Sequence, residues 1–409
     1  MEVIFLGSFF PVELHDDIVK NSRGPIANAN NALQFALLSG LSEYYSDMHV
    51  ITLPNVGAFP RRYKQAFFPG SYLCGPANIA GVSLRFFNLL GVKHFSRYAA
   101  AKRALRRRLS SSQGHVLIFI YDLHPPFLAA VMDLKRSFQM LSVCAIVPDL
   151  PGFTNESNSL LHKGFRYLEK HYLEKSYECI DGFVLLSKHM VEKLPVFVKP
   201  WVVVEGIFNA NDDSASPARM AAVDKTIFYS GSLDRRNGVM RLVQAFEKIS
   251  HADYRLVLCG AGDTDSEIRK AAASDSRIDF KGQIPRTDVL ALQKTATLLV
   301  NPRTPEGEFT RYSFPSKTME YLASSVPLLM YRLEGVPEAY FKHCYVLDNI
   351  DIDYLAKEIV TICESDLQEL RMRSAAAKRF VLEQKNPLFQ CGKIYRLANQ
   401  LISDKFSVP

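Results

Sequence analysis

The sequence has no Cys-x-x-Cys pair, no low-complexity tract and no internal repeat of fixed period. It also lacks any apolar run approaching the ~18 residues that a membrane-spanning helix requires. Its seven cysteines stand at 74, 144, 179, 259, 344, 363 and 391, without regular spacing. A disulfide or zinc framework needs paired spacing, so neither organises this chain and reduced thiols are expected. The opening Met-Glu-Val-Ile-Phe-Leu-Gly has neither the basic segment nor the small-residue cleavage site of a secretion signal, and residues 1–7 read instead as a buried first strand. A cytoplasmic location is the expectation, with peripheral contact at the inner face of the cytoplasmic membrane left open.

What is present is an ordinary globular balance. Of 409 residues 48% are hydrophobic and 22% charged, which suffices for sizeable cores, and the length suggests two or three domains of about 150 residues. The net charge of +7 is modest and permits contact with phosphates or anionic lipid without requiring it. Short apolar runs at 3–6, 50–53, 116–120, 141–147 and 182–186 read as strands, as do 226–230, 254–259, 278–281, 297–301 and 327–331. Helical patterns at 28–39, 158–177, 240–249 and 288–294 lie between them. Such alternation predicts an α/β fold with two parallel sheets. The polar stretch Asn-Ala-Asn-Asp-Asp-Ser-Ala-Ser-Pro from Asn209 marks a boundary. The expected division is a domain over 1–206, a linker over 207–224, a second domain over 225–387, and a last helix over 388–409 packing back on the first.

The second domain opens with a strand and then Gly231-Ser232-Leu233-Asp234-Arg235-Arg236-Asn237-Gly238 before a helix. Glycines at such a turn let a phosphate approach the backbone, and a helix start offers free N–H groups. Parallel-sheet domains also use glycine turns for packing alone, and Gly260-Ala261-Gly262 reads equally well as a simple turn. More informative is the segment from Asn301 to Pro327. A polar loop with Arg303 and Arg311 leads to Tyr312-Ser313-Phe314-Pro315-Ser316-Lys317-Thr318-Met319-Glu320. Serine and proline suit a helix start here. Ser316 and Lys317 can face one anion, with charge-assisted hydrogen bonds of roughly 1.5–3 kcal/mol each. Glu320, four residues after Ser316, can share that face and accept from two vicinal hydroxyls. Pyrophosphate and then ribose would suit that order; a merely capped surface helix would look the same.

The segment Tyr-Ser-Phe-Pro-Ser-Lys-Thr-Met-Glu-Tyr-Leu-Ala-Ser-Ser-Val-Pro-Leu-Leu from Tyr312 resembles the donor-binding motif of family-4 retaining glycosyltransferases, most closely bacterial members that build capsular and other surface polysaccharides. Similarity continues in order through residues 231–246, 260–262, 280–282 and 298–303, and more loosely through 25–34, 149–151 and 205–206. The resemblance implies a GT-B fold, two Rossmann-like parallel-sheet domains facing across a cleft. It implies transfer of a hexose or N-acetylhexosamine from a UDP- or GDP-sugar, with retention, no cofactor and no metal, to a surface polysaccharide or lipid-linked glycan. Glu320 matches the motif's ribose-binding glutamate, Phe314 its phenylalanine, and Ser316 and Lys317 its pyrophosphate turn. Tyr312 stands where the motif's first glutamate belongs, with Glu306 and Glu308 nearby but out of register. Ser232 and Asn237 replace an Arg and a Lys common in relatives, with Arg235 or Arg236 as substitutes.

On the acceptor side Asp149 leads as a base or positioning group, because it follows the strand at 141–147, where ligand-binding loops gather. Asp122 and His124, after the strand at 116–120, come second. A helix cap or loop hydrogen bond competes with catalysis at each. Asn28, Asn30 and Asn31 are candidates to line the acceptor cleft or to cap a helix. Between 59 and 109 aromatic and basic residues mix densely, ending in Lys102, Arg103, Arg106, Arg107 and Arg108. Each cation near an anionic leaflet contributes about 1 kcal/mol, although a solvated basic helix over a core fits the same pattern. Nucleic acid fits poorly, since no known binding module accompanies the charge. A sugar-nucleotide epimerase on the same fold and a non-catalytic binding subunit are the competing functional readings.

Overall fold

The computed structural model describes residues 1–24, 26, 28–74, 80–150, 175–194, 196, 198–209 and 225–406. The chain divides into two compact units, one of Met1–Ile207 with Pro387–Pro409, the other of Phe208–Asn386. The linker expected over 207–224 falls outside the described residues from 210 onward, as does the helix expected over 158–177 up to residue 174.

In the first unit the strands are β1 (Glu2–Gly7), β2 (Met48–Thr52), β3 (Phe67–Phe68), β4 (Ser71–Cys74), β5 (Ala80–Ser83), β6 (Phe86–Phe87), β7 (Val116–Tyr121), β8 (Leu141–Val147), β9 (Gly182–Leu185) and β10 (Trp201–Val203). Eight of them form one sheet in the order β10-β9-β8-β7-β1-β2-β5-β4, parallel except for the β4–β5 pair. β7 and β8 are buried at every position, which is why their sequences, VLIFIY and LSVCAIV, run apolar without alternation. β3 and β6 pair separately as a short antiparallel ribbon. The helices are α1 (His15–Asn21), α2 (Asn28–Ser42), α3 (Lys93–Ser111) and α4 (Pro125–Lys135).

The second unit holds β11 (Lys225–Ser232), β12 (Tyr254–Ala261), β13 (Ile278–Gly282), β14 (Leu298–Asn301), β15 (Leu328–Tyr331) and β16 (Tyr345–Leu347), all parallel, in the order β13-β12-β11-β14-β15-β16. Its helices are α5 (Val239–Glu247), α6 (Asp265–Ser274), α7 (Arg286–Thr295), α8 (Lys317–Ala323), α9 (Glu338–Phe341), α10 (Ile352–Cys363) and α11 (Leu367–Gln384). The last helix, α12 (Pro387–Phe406), belongs to the first unit. There Tyr395 stacks on Tyr44 of the segment after α2 at 4.9 Å between ring centroids, and the Cys391 thiol lies 3.6 Å from the Leu37 carbonyl.

Both sheets reverse their strand order at one place, between β1 and β7 in the first and between β11 and β14 in the second. In open parallel sheets the loops leaving the carboxyl ends of the strands diverge there and leave a crevice. The six cysteines whose side chains are described are buried and unpaired by disulfides. Among the described residues no helix is long and apolar enough to cross a membrane.

Candidate functional site

The residues expected on the donor side lie on segments around the β11–β14 reversal. Gly231 and Ser232 end β11, Arg235 and Arg236 lie in the single 3-10 turn that follows, and Arg303 follows β14. Tyr321 of α8 fastens the helix to β11, accepting from the Ser230 N–H at 2.8 Å and donating to its carbonyl at 3.1 Å. Burial of that phenol drives its pKa far up, so it stays a neutral hydrogen-bonding pin. Gly238 caps α5 with φ +78°, and a Cβ there would stand 2.0 Å from the Pro302 carbonyl oxygen. Only glycine combines that conformation with that approach, and so the turn after β11 lies against the loop after β14.

The helix start differs from the sequence expectation. α8 begins at Lys317, not at Ser313-Phe314-Pro315, and Ser316 is its cap residue but makes no side-chain capping bond. Ser313 is no cap at all. Its hydroxyl donates to the Phe309 carbonyl at 2.8 Å and accepts from an Arg303 guanidinium nitrogen at 3.0 Å. Local bonds to the preceding 3-10 turn, Glu308–Thr310, outcompete helix capping here. Phe314 is buried against Tyr340 at 5.1 Å and anchors the segment.

Charges in this cluster come in compensated pairs. Lys317 Nζ lies 2.7 Å from Glu320 Oε1, and Arg286 lies 3.6 Å from the same carboxylate. Arg311 sits 3.3 Å from Glu334. The part-exposed Lys317–Glu320 pair is worth about 1 kcal/mol or less, so an incoming anion can draw Lys317 away at small cost. The two arginines of the β11 turn diverge. Arg235 reaches sideways to both Glu267 oxygens at 2.6 and 2.7 Å. Arg236 instead lies over the Phe309 ring at 5.8 Å, sharing it with Arg303 at 4.4 Å. The structure therefore brings Arg236, rather than Arg235, to the Arg303 loop. Ser232 donates to Asp234 at 2.6 Å and Asn237 to the Ser232 carbonyl at 3.2 Å, so both shape the turn.

Tyr312 is buried, and its hydroxyl lies 3.2 Å from Glu308 Oε1. Sequence register had set Glu308 aside, because the 3-10 turn that brings it back to Tyr312 has no motif of its own. Gly335 closes the loop from outside: a Cβ there would meet the Ser313 carbonyl oxygen at 2.3 Å.

On the first unit Asp122, His124 and Asp149 leave the carboxyl ends of β7 and β8, beside the β1–β7 reversal. Asp122 adopts φ +70°, a conformation that aspartate tolerates better than most residues, and its carboxylate accepts from the Leu123 N–H at 2.7 Å. Desolvation, opposed by that hydrogen bond and reinforced by Asp149, pushes its pKa up to about 6. Asp149 itself is exposed, and the chain beyond Leu150 lies outside the described residues. His124 precedes α4 in the cap position without making a capping bond. Burial, with Arg97, His94 and Lys93 nearby, holds its imidazole neutral. Asn30 accepts from the Tyr121 hydroxyl at 2.9 Å and Asn31 from the Phe10 N–H at 3.1 Å, so these two asparagines position loops; Asn28 is exposed.

Residues 224–365 match the family model described as glycosyl transferases group 1. That match lies within the second unit. Solved structures extend the likeness to nearly the whole chain. Sucrose-phosphate synthase from Thermosynechococcus elongatus superposes with a TM-score of 0.62 at 17% identity, covering 99% of this chain and 100% of that one. HepE of Anabaena, solved in complex with UDP, gives 0.65 at 12% identity over 98% and 100%. A TarM variant of S. aureus, in complex with fondaparinux, alpha-GlcNAc-glycerol and UDP, gives 0.61 at 9% over 98% and 100%. At these identities the likeness establishes the GT-B fold. No curated protein matches the chain. The glycosyl transferases group 1 domain on a GT-B chain supports glycosyltransferase activity.

Proposed function

We propose that this GT-B protein is a retaining glycosyltransferase that moves a hexose or N-acetylhexosamine from a UDP- or GDP-sugar to a surface polysaccharide or lipid-linked glycan. The observation carrying the proposal is that Ser316, Lys317, Glu320, Arg303 and Arg236 lie on segments bordering the strand-order reversal of the second unit, within the stretch that matches the glycosyl transferases group 1 model. Lys317 and the exposed start of α8 take the diphosphate, with Arg236, Arg303 and Arg311 adding positive charge as the leaving group gains negative charge. Glu320, released from Lys317, accepts from the ribose hydroxyls. Tyr312, with Glu308 at its hydroxyl, lies toward the transferred sugar. Asp149 or the Asp122–His124 pair positions the acceptor.

Peripheral membrane contact at the cytoplasmic face belongs to the same proposal. Helix α3 buries Arg97, Ala101, Leu105 and Leu109 and leaves Arg103, Arg106 and Arg107 outward. Arg108 differs, since it is paired with Glu2 of β1 and serves the fold. The test of function is transfer of label from a panel of nucleotide sugars in the presence of membranes, with product analysis. Transfer lost in Glu320→Ala supports the proposal. A donor altered without an acceptor product indicates an epimerase, and absence of nucleotide binding indicates a non-catalytic subunit.

A further inference from the structure

A cluster of basic side chains lies in the first unit, where the motif gives no assignment. Lys93 and His94 occupy the first turn of α3, which has no acidic residue and no side-chain cap. The His94 and His124 rings stack 5.8 Å apart. Arg97, one turn on, is wholly buried over Phe86 and Phe127, at 5.1 and 5.7 Å, and donates to the Leu53 and Pro54 carbonyls at 2.7 and 2.8 Å. Lys93 donates to the Val56 carbonyl in the same loop. His124 Nδ1 is buried without a hydrogen-bond partner. None of the four side chains pairs with a carboxylate among the described residues. Burial, with Arg97 beside it, pushes the Lys93 ammonium down to about 7, and burial with Lys93 and Arg97 nearby lowers His94; an incoming anion offsets the repulsion among them.

The same helix start is flanked by exposed apolar surface. Phe95 is 70% exposed and Leu90 73%, with Phe67, Phe87 and Val92 beside them in the fold or chain. The Phe87 N–H donates to Ser96 at 2.9 Å, which ties the β3–β6 ribbon to the first turns of α3. Isolated exposed apolar residues need no explanation, but several grouped around a helix start that also carries basic side chains do.

Resting on the glycosyltransferase reading, we infer that Lys93, His94 and His124 bind the phosphate of a lipid-linked acceptor whose hydrocarbon chain lies along Phe95, Leu90 and Phe87. Arg97 supplies fixed positive charge from beneath while its hydrogen bonds hold the loop after β2. Phosphate is the fitting head group because imidazole and ammonium donors grouped at one helix start suit a small anion, and the exposed apolar residues beside them favour an alkyl-linked phosphate over a free one.

Calorimetry with dodecyl phosphate below its micellar concentration, with inorganic phosphate, and with UDP and GDP tests this. Dodecyl phosphate is expected to bind about tenfold or more tighter than inorganic phosphate. Lys93→Gln/His94→Gln is expected to weaken both phosphates by about tenfold while nucleotide binding on the second unit persists, which also reports that the variant is folded. Phe95→Ser/Leu90→Ser is expected to remove the advantage of the dodecyl chain only. Unchanged phosphate binding in the lysine–histidine variant overturns the site, and equal affinity for the two phosphates overturns the lipid assignment. Nucleotide binding with no dodecyl phosphate binding refutes this inference alone. Loss of nucleotide binding in the unaltered protein instead refutes the donor reading.

Discussion

In the second unit Lys317 has Glu320 beside it, Arg235 has Glu267, Arg236 has Asp234 and Arg311 has Glu334, all at least partly open to water. In the first unit Lys93, Arg97, His94 and His124 crowd together without a carboxylate partner among the described residues, and Asp122, half-buried, lies close enough to Asp149 for the two charges to oppose each other. The difference is one of cost. A solvated ion pair exchanges partners for little free energy, which suits a site that admits and releases a charged nucleotide. A buried, unbalanced group carries a shifted pKa at rest, which suits proton transfer or the capture of a complementary charge.

The sharpest way to break this contrast is at Glu320. Glu320→Ala is expected to lower kcat/KM for transfer by roughly a hundredfold, because about two charge-assisted hydrogen bonds to the ribose are lost. A fall within threefold would mean that the Lys317–Glu320 pair is only a surface ion pair. Gly238→Ala comes next: left-handed backbone strain alone costs about 1–2 kcal/mol, and the Pro302 carbonyl must also move. Urea unfolding is expected to show a lower midpoint, and UDP or GDP titration a weaker affinity than wild type.

Asp122 supplies a pH signature. Its raised pKa favours the protonated form in the folded state, so its stabilising contribution is complete below the ordinary carboxylate range and is lost as pH rises through about 6. Asp122→Asn is therefore expected to gain stability relative to wild type as pH increases across that window. If the carboxylate acts on the acceptor, the same substitution removes the rise in kcat through about 6. A stability difference flat with pH would show that Asp122 is not desolvated. The smallest effect is expected at Arg235→Ala, where loss of an exposed pair with Glu267 costs about 0–1 kcal/mol and leaves transfer within about twofold. A large loss of transfer would favour Arg235 over Arg236 as the turn's functional cation.

Much of the frame was readable because buried parallel strands leave a strong mark: the runs at 116–120 and 141–147 became β7 and β8 almost residue for residue. The short strands β3, β4, β5 and β6 left none, whereas the equally short β9, β14 and β15 were legible because they are buried at every position and so run apolar. The helix after Tyr312 was legible in the sequence, yet the start of α8 was misplaced, because Ser313 spends its hydroxyl on Phe309 and Arg303 rather than on a cap. The basic cluster of the first unit was invisible in one dimension. Lys93, Arg97 and His124 lie up to a helix and a strand apart in sequence, and only the return of β7 beside β1 brings His124 over the start of α3.

The central claim is that Glu320 reads the ribose of a nucleotide held by the second unit. Calorimetry of the wild type and Glu320→Ala against whichever of UDP and GDP binds, and against its 2′-deoxy analogue, tests it most directly. The account predicts that wild type prefers the ribonucleotide by about tenfold, as one charge-assisted hydrogen bond requires, and that Glu320→Ala shows no preference. An undiminished preference in the variant, or no nucleotide binding by the wild type, would contradict it.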